Sequence, residues 1–158
     1  MNQVNLDIIN NLIEIHQKIS QKEKELEILT KQLDNLMNER EIDRLLEKWE
    51  KYLENQNLKP RIEDEERVLV NISIEEHNFD VSLGVESYDI QKTYCQVEPT
   101  NGATPRSEII EKLEEILSKT DGSNPYRYEY LGSKTHEKLY EEGCNLIEKV
   151  IKCLMEFK

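Results

Sequence analysis

The 158 residues carry a formal net charge of -12, with 34% of side chains charged and 37% hydrophobic. That balance argues against phosphate backbones and anionic membranes as partners, and the length rules out two full-sized domains. A charged fraction above the roughly 25% of an average domain points to solvated helix beside a single core, and so to an elongated shape.

No segment approaches the roughly 20 apolar residues of a membrane span, and the start MNQVNLDIIN has no apolar leader, so a cytoplasmic protein is expected. Cys95, Cys144 and Cys153 are odd in number and lack CxxC spacing, which fits reduced thiols better than a disulfide framework. The NIS sequon at Asn71 then has no role.

All four prolines and all five glycines lie beyond residue 59. In the breaker-free segment before them, Ile8, Leu12, Ile15, Ile19, Leu26, Leu29, Leu33 and Leu36 alternate at spacings of three and four, interrupted by Lys22. With Leu12 at heptad position a, the a sites are Leu12, Ile19, Leu26 and Leu33, and the d sites are Ile8, Ile15, Lys22, Leu29 and Leu36. This is a coiled-coil seam, expected to make a homodimer; the alternative is a helix lying on the protein's own core. Lys18 at g and Glu23 at the following e attract across a parallel pair, and Lys22 at d favours two strands.

Ile42, Leu45, Leu46, Trp49 and Leu53 form a second stripe, rotated roughly 200° from the extrapolated seam. It needs a different partner. Either the chain turns back near Asn38-Glu39-Arg40-Glu41, or one helix of about 70 Å gives its last turns to a globular domain. The second is preferred, since that run has no turn signature. The expected division is therefore residues 1–58 as a coiled-coil stem and 59–158 as an acidic α+β interaction domain.

After Pro60 the period changes to two. RVLVNISI and FDVSLGVE each alternate an apolar with a polar series, predicting two strands joined as a hairpin at Glu75-Glu76-His77-Asn78. DIQKTYCQV is a third strand of undecided facing. Thr104 and Pro105 read as the start of a helix with the stripe Ile109, Ile110, Leu113, Ile116 and Leu117, stopping at Asp121-Gly122. YRYEYL is a fourth strand candidate. A last amphipathic helix runs from about Lys134, weakened at Gly143. The predicted class is α+β: a long helix, then a small antiparallel sheet of three to four strands packed with two helices.

Residues 1–60 carry a net -3, residues 61–104 a net -7 and residues 105–158 a net -2. Glu63, Asp64, Glu65, Glu66, Glu75, Glu76, Asp80 and Glu86 all belong to the strand region, so one wall of the sheet is expected to be negative. Such a wall steers a basic partner and resembles the phosphates that partner binds; the plainer account is a solvated face guarding an edge strand. Glu108, Glu111 and Glu115 extend the row, against the nearby Arg106, Lys112 and Lys119.

Tyr126, Tyr128 and Tyr130 lie on one side of the fourth strand. They either pack inward, leaving Arg127 and Glu129 in water, or form the anchor of a protein interface at the sheet edge.

Catalytic chemistry has thin candidates. His77 with Glu75, Glu76 and Asp80, and His136 with Glu137, sit in no motif. Cys144 and Cys153 are nine apart on a helix and cannot share a metal. There is no GxGxxG, P-loop, HExxH or GxSxG sequence, so no catalytic, metal or cofactor residue is assigned. The expected function is a non-catalytic, acidic, dimeric protein-binding protein of inhibitor or immunity type, of the kind phages and bacteria deploy against each other, occluding a basic nucleic-acid-handling partner. The alternatives are a structural or adaptor subunit and an unrecognised enzyme. No direct nucleic-acid or membrane partner is expected.

Overall fold

A computed structural model describes residues 3–100, 105–117, 119–120, 127–132 and 134–158, with the side chains of 119, 120, 127 and 128 not described. Helix α1 runs without interruption over Gln3–Asn55. Strands β1 (Arg61–Glu63), β2 (Arg67–Ile74), β3 (His77–Val85) and β4 (Thr93–Pro99) follow, with two single-turn 3-10 helices between β3 and β4. Then come α2 (Ser107–Ile116), β5 (Lys119–Thr120), β6 (Arg127–Tyr130) and α3 (His136–Met155). The strands form one antiparallel sheet of order β1-β2-β3-β4-β6-β5, so the class is α+β.

The chain forms two compact units, Met1–Met37 and Asn38–Lys158, and the division falls inside α1 rather than at the end of the helix. The reason is the second stripe. Ile42, Leu45, Leu46, Trp49 and Leu53 are at most 1% exposed and belong to the same core as the sheet and the other two helices.

In the second unit the sheet buries one face. Val68, Val70, Ile72 and Ile74 of β2 stand opposite Leu83, Val81, Phe79 and His77 of β3, and the apolar members are buried. Pairing settles the facing of β4: Thr93, Cys95 and Val97 oppose Val85, Leu83 and Val81 and so turn inward. Helix α3 covers β2, β3 and β4, with α2 and the last turns of α1 against it. Trp49 Nε1 donates to the Tyr140 carbonyl at 3.2 Å, and Tyr52 donates to Glu148 at 3.2 Å. Being flanked on both sides explains why α3 buries Cys144 and Cys153 although they project oppositely.

Several boundaries differ from expectation. The β2–β3 turn is only Glu75-Glu76, with Glu75 at φ 56°, so His77 is a strand residue paired with Ile74 and not part of the turn. Residues 90–92 of the third predicted strand are a 3-10 turn, closed by Asp89 accepting from the Gln91 amide at 3.0 Å. Helix α2 starts at Ser107 after Arg106, with no side-chain cap, and ends at Ile116; Thr104 and Asp121-Gly122 lie outside the described residues. Thr135 caps α3, accepting from the Lys138 amide at 3.4 Å.

Candidate protein-binding surfaces

The first surface lies in residues 1–37. The eight predicted seam residues, Ile8 to Leu36, are each 48–64% exposed within this chain. Most helical stability in proteins comes from packing an apolar face, and within this chain this stripe is unburied apolar area.

The second surface is the outer face of the sheet. Register fixes three rows across it: Arg67-Gly84-Tyr94-Tyr130, Leu69-Ser82-Gln96 and Asn71-Asp80-Glu98. The middle row is buried although it faces away from the helices, Leu69 and Ser82 at 1% and Gln96 at 5% exposure. Tyr94 reaches across β3 toward Arg67. A Cβ on Gly84 would stand 2.7 Å from the Tyr94 hydroxyl and 2.9 Å from Arg67 Cβ, so only glycine admits this crossing. Burial raises the Tyr94 pKa, the Arg67 charge opposes that, and Glu66, Glu86 and Glu98 add to it.

Tyr130 does not pack inward. Tyr130 and position 128 pair with Tyr94 and Gln96, in the outer series, while Arg127 and Glu129 oppose the inward Val97 and Cys95. Strand β6 is also not the sheet edge, since β5 flanks it. The half-buried Tyr130 donates its hydroxyl to Glu86. Tyr126 lies outside the described residues, and only the backbone of Tyr128 is described.

The predicted acidic residues separate into groups. Glu75 and Glu76 sit at the β2–β3 turn, roughly 23 Å along the strand from the β1–β2 turn that holds Glu63 to Glu66. Glu75 is ion-paired with Arg106 at 3.0 Å. Glu63 pairs with Arg67 at 2.7 Å and Arg61 at 3.5 Å, and hydrogen bonding from Arg67 lowers its pKa. Asp80, on the outer face between the two ends, accepts from Asn71 at 3.1 Å. The expected continuous negative wall is thus two clusters, each partly neutralised by arginine.

What remains at the β1–β2 end is concave. Glu39, Asp43 and Glu65 line a hollow of about 340 Å³ together with Ile42 and Tyr88. Glu39 and Asp43 are one helical turn apart on α1, and the Asn38 amide donates to the Tyr88 carbonyl, tying the 3-10 segment to the helix. Asp64 and Glu65 at φ 54° and 55°, and Ser87 and Tyr88 at φ 53° and 54°, are left-handed residues in the two loops that meet here. Non-glycine residues in that region cost of order 1 kcal/mol each and collect at sites where backbone shape matters. Asp64 and Glu65 are exposed and have no ion pair among the described residues. Sequence reading named Glu65 but missed Glu39, Asp43 and Tyr88, whose only signal was the i, i+4 carboxylate pair beside the second stripe.

The catalytic candidates do not converge. His77 has its ring 6.4 Å from Phe79, and His136 begins α3; neither His77 Nδ1 nor His136 Nε2, both buried, has a hydrogen-bond partner among the described residues. Burial pushes the Cys95 thiol up to about 12 and Cys144 to about 11, and raises Cys153 as well, so all three are protonated and poor nucleophiles at neutral pH. Among the described residues no three His, Cys, Asp or Glu side chains gather to hold a metal ion, and no helix is long and apolar enough to cross a membrane. Comparison of the chain with protein-family models, curated proteins and solved structures finds no match in any of the three.

Proposed function

We propose that this is a non-catalytic, acidic protein-binding protein that dimerises through α1 and takes a cationic side chain of a basic partner into the hollow lined by Glu39, Asp43 and Glu65. The observation that carries the reading is that hollow: three carboxylates around one cavity beside Tyr88, an aromatic ring 48% exposed and able to cover a bound guanidinium or ammonium. A protein whose strand region holds a net -7 draws basic, nucleic-acid-handling partners, and occluding their phosphate-binding surface gives an inhibitor or immunity-type role.

The test is capture of partners from the cells of origin with the full chain, followed by affinity measurements on the captured protein. Binding is expected to weaken at least about tenfold from low to high salt and in the pair Asp43→Lys with Glu65→Lys. Glu27→Lys with Asp34→Lys changes net charge equally but lies on the first unit, off the a, d, e and g positions, and is expected to cost less than about twofold. Equal losses in the two pairs would reduce the effect to net charge and sink the site. The fully exposed seam favours a second reading, an adaptor whose helix holds the assembly together; retention of the partner by residues 1–55 alone would establish it.

A further inference from the structure

The first turns of α1 carry more apolar surface than a two-stranded coiled coil covers. Besides the a and d residues, Leu6, Ile9 and Ile13 are 43%, 41% and 49% exposed at heptad positions b, e and b. At 3.6 residues per turn, the apolar residues from Val4 to Ile19 spread over about 200° of the helix, and those from Leu26 to Met37, with Ile28 and Met37 outside the a and d positions, over about 180°. Such breadth is the pattern of a helix packed in a larger bundle, and the first segment is the one that also lacks charge.

Two further observations point the same way. Around the first seam, Leu12 stands at a between Ile8 and Ile15 at d, and leucine at a with isoleucine at d favours three or four strands over two. Between residues 3 and 17 the only carboxylates are Asp7 and Glu14, and both fall at position c, outside either stripe. Depletion of charge marks the centre of interfaces. The charge-poor stretch ends at Lys18, Lys22 and Glu23. A lipid surface is the other partner an apolar helix face meets, but interfacial helices line their polar face with Lys and Arg, and the first Lys or Arg here is Lys18.

We propose that residues 4–19 of four chains form a four-helix bundle, in which the a and d residues pair helices and Leu6, Ile9 and Ile13 join the pairs. This rests on the proposed coiled-coil dimer through α1, two of which the bundle joins. Sedimentation equilibrium of the full chain at micromolar concentration is expected to give four times the 18.7 kDa chain mass. The variant Leu6→Gln, Ile9→Gln, Ile13→Gln is expected to halve that mass, and Leu6→Met, Ile9→Val, Ile13→Val to keep it. Exchanging the core types, Ile8→Leu, Leu12→Ile and Ile15→Leu, conserves volume and is also expected to halve it. A wild-type mass of two or three chains overturns the bundle and leaves the coiled coil standing, while a single-chain mass overturns both. A four-chain mass in the glutamine variant or the exchanged variant likewise overturns it.

Discussion

His136 begins α3 with its ring partly withdrawn from water, and its pKa is lowered mainly by desolvation, helped by Lys48 and Arg44 and opposed by Glu41 and Glu137. A histidine with a depressed folded-state pKa is protonated first in the unfolded chain. Its contribution is therefore intact above the unfolded value near 6.5 and is lost as pH falls through and below it. Denaturant midpoints are expected to drop between about pH 7 and 5, and the drop is expected to shrink in His136→Gln. An unchanged pH slope in that variant would assign the acid sensitivity to other groups. The buried thiols behave oppositely to catalytic cysteines: desolvation holds them protonated, and for Cys95 the Gln96 backbone hydrogen bond opposes it without reversing it.

At the scale of elements, the junction of α1 and α3 depends on a missing side chain. A Cβ on Gly143 would stand 2.7 Å from two atoms of the Trp49 ring, and the Trp49 side chain is fully buried. On an open helix Gly→Ala gains about 1 kcal/mol. Here Gly143→Ala is expected to destabilise by about 1–3 kcal/mol through overpacking, read from the chemical-denaturation midpoint. A gain in stability would show that Trp49 is not seated against α3.

The sequence reading took Gly143 as a weak point in a helix because propensity is local, while its use lies in a contact 94 positions back along the chain. Long periodic elements were legible: the β2 and β3 alternation and the 42–53 stripe each bury what their period indicates. Strands β1 and β5, of three and two residues, are too short to have a period. The sequence leaves the tyrosine strand between two readings for a different reason: its facing follows from its register with β4, whose Cys95 and Val97 already take the inner face, and no local pattern shows that pairing. Of the candidate site, Glu65 was visible and Glu39, Asp43 and Tyr88 were not, because only the fold brings α1 to the β1–β2 turn.

At the scale of the whole molecule, the two units obey different thermodynamics. Asn38–Lys158 has a core of its own, whereas within this chain the described residues up to Met37 are all exposed. On the proposed self-association of α1, helix in the first unit is held by association, whose strength follows concentration. Dilution from about 100 μM to below 1 μM is expected to remove part of the helical circular-dichroism signal while tryptophan fluorescence, reporting Trp49, stays constant. A helical signal that does not change on dilution would mean that residues 3–37 need no partner.

The left-handed residues beside the acidic hollow have an evolutionary consequence. Asp64, Glu65, Ser87 and Tyr88 are positions where drift toward glycine relieves backbone cost, so a lineage selected for stability alone has an easy route to abandon them. Persistence of Asp64, Glu65 and Tyr88 as charged and aromatic side chains among natural variants would record a selective pressure on the proposed recognition, and their loss to glycine would count against it.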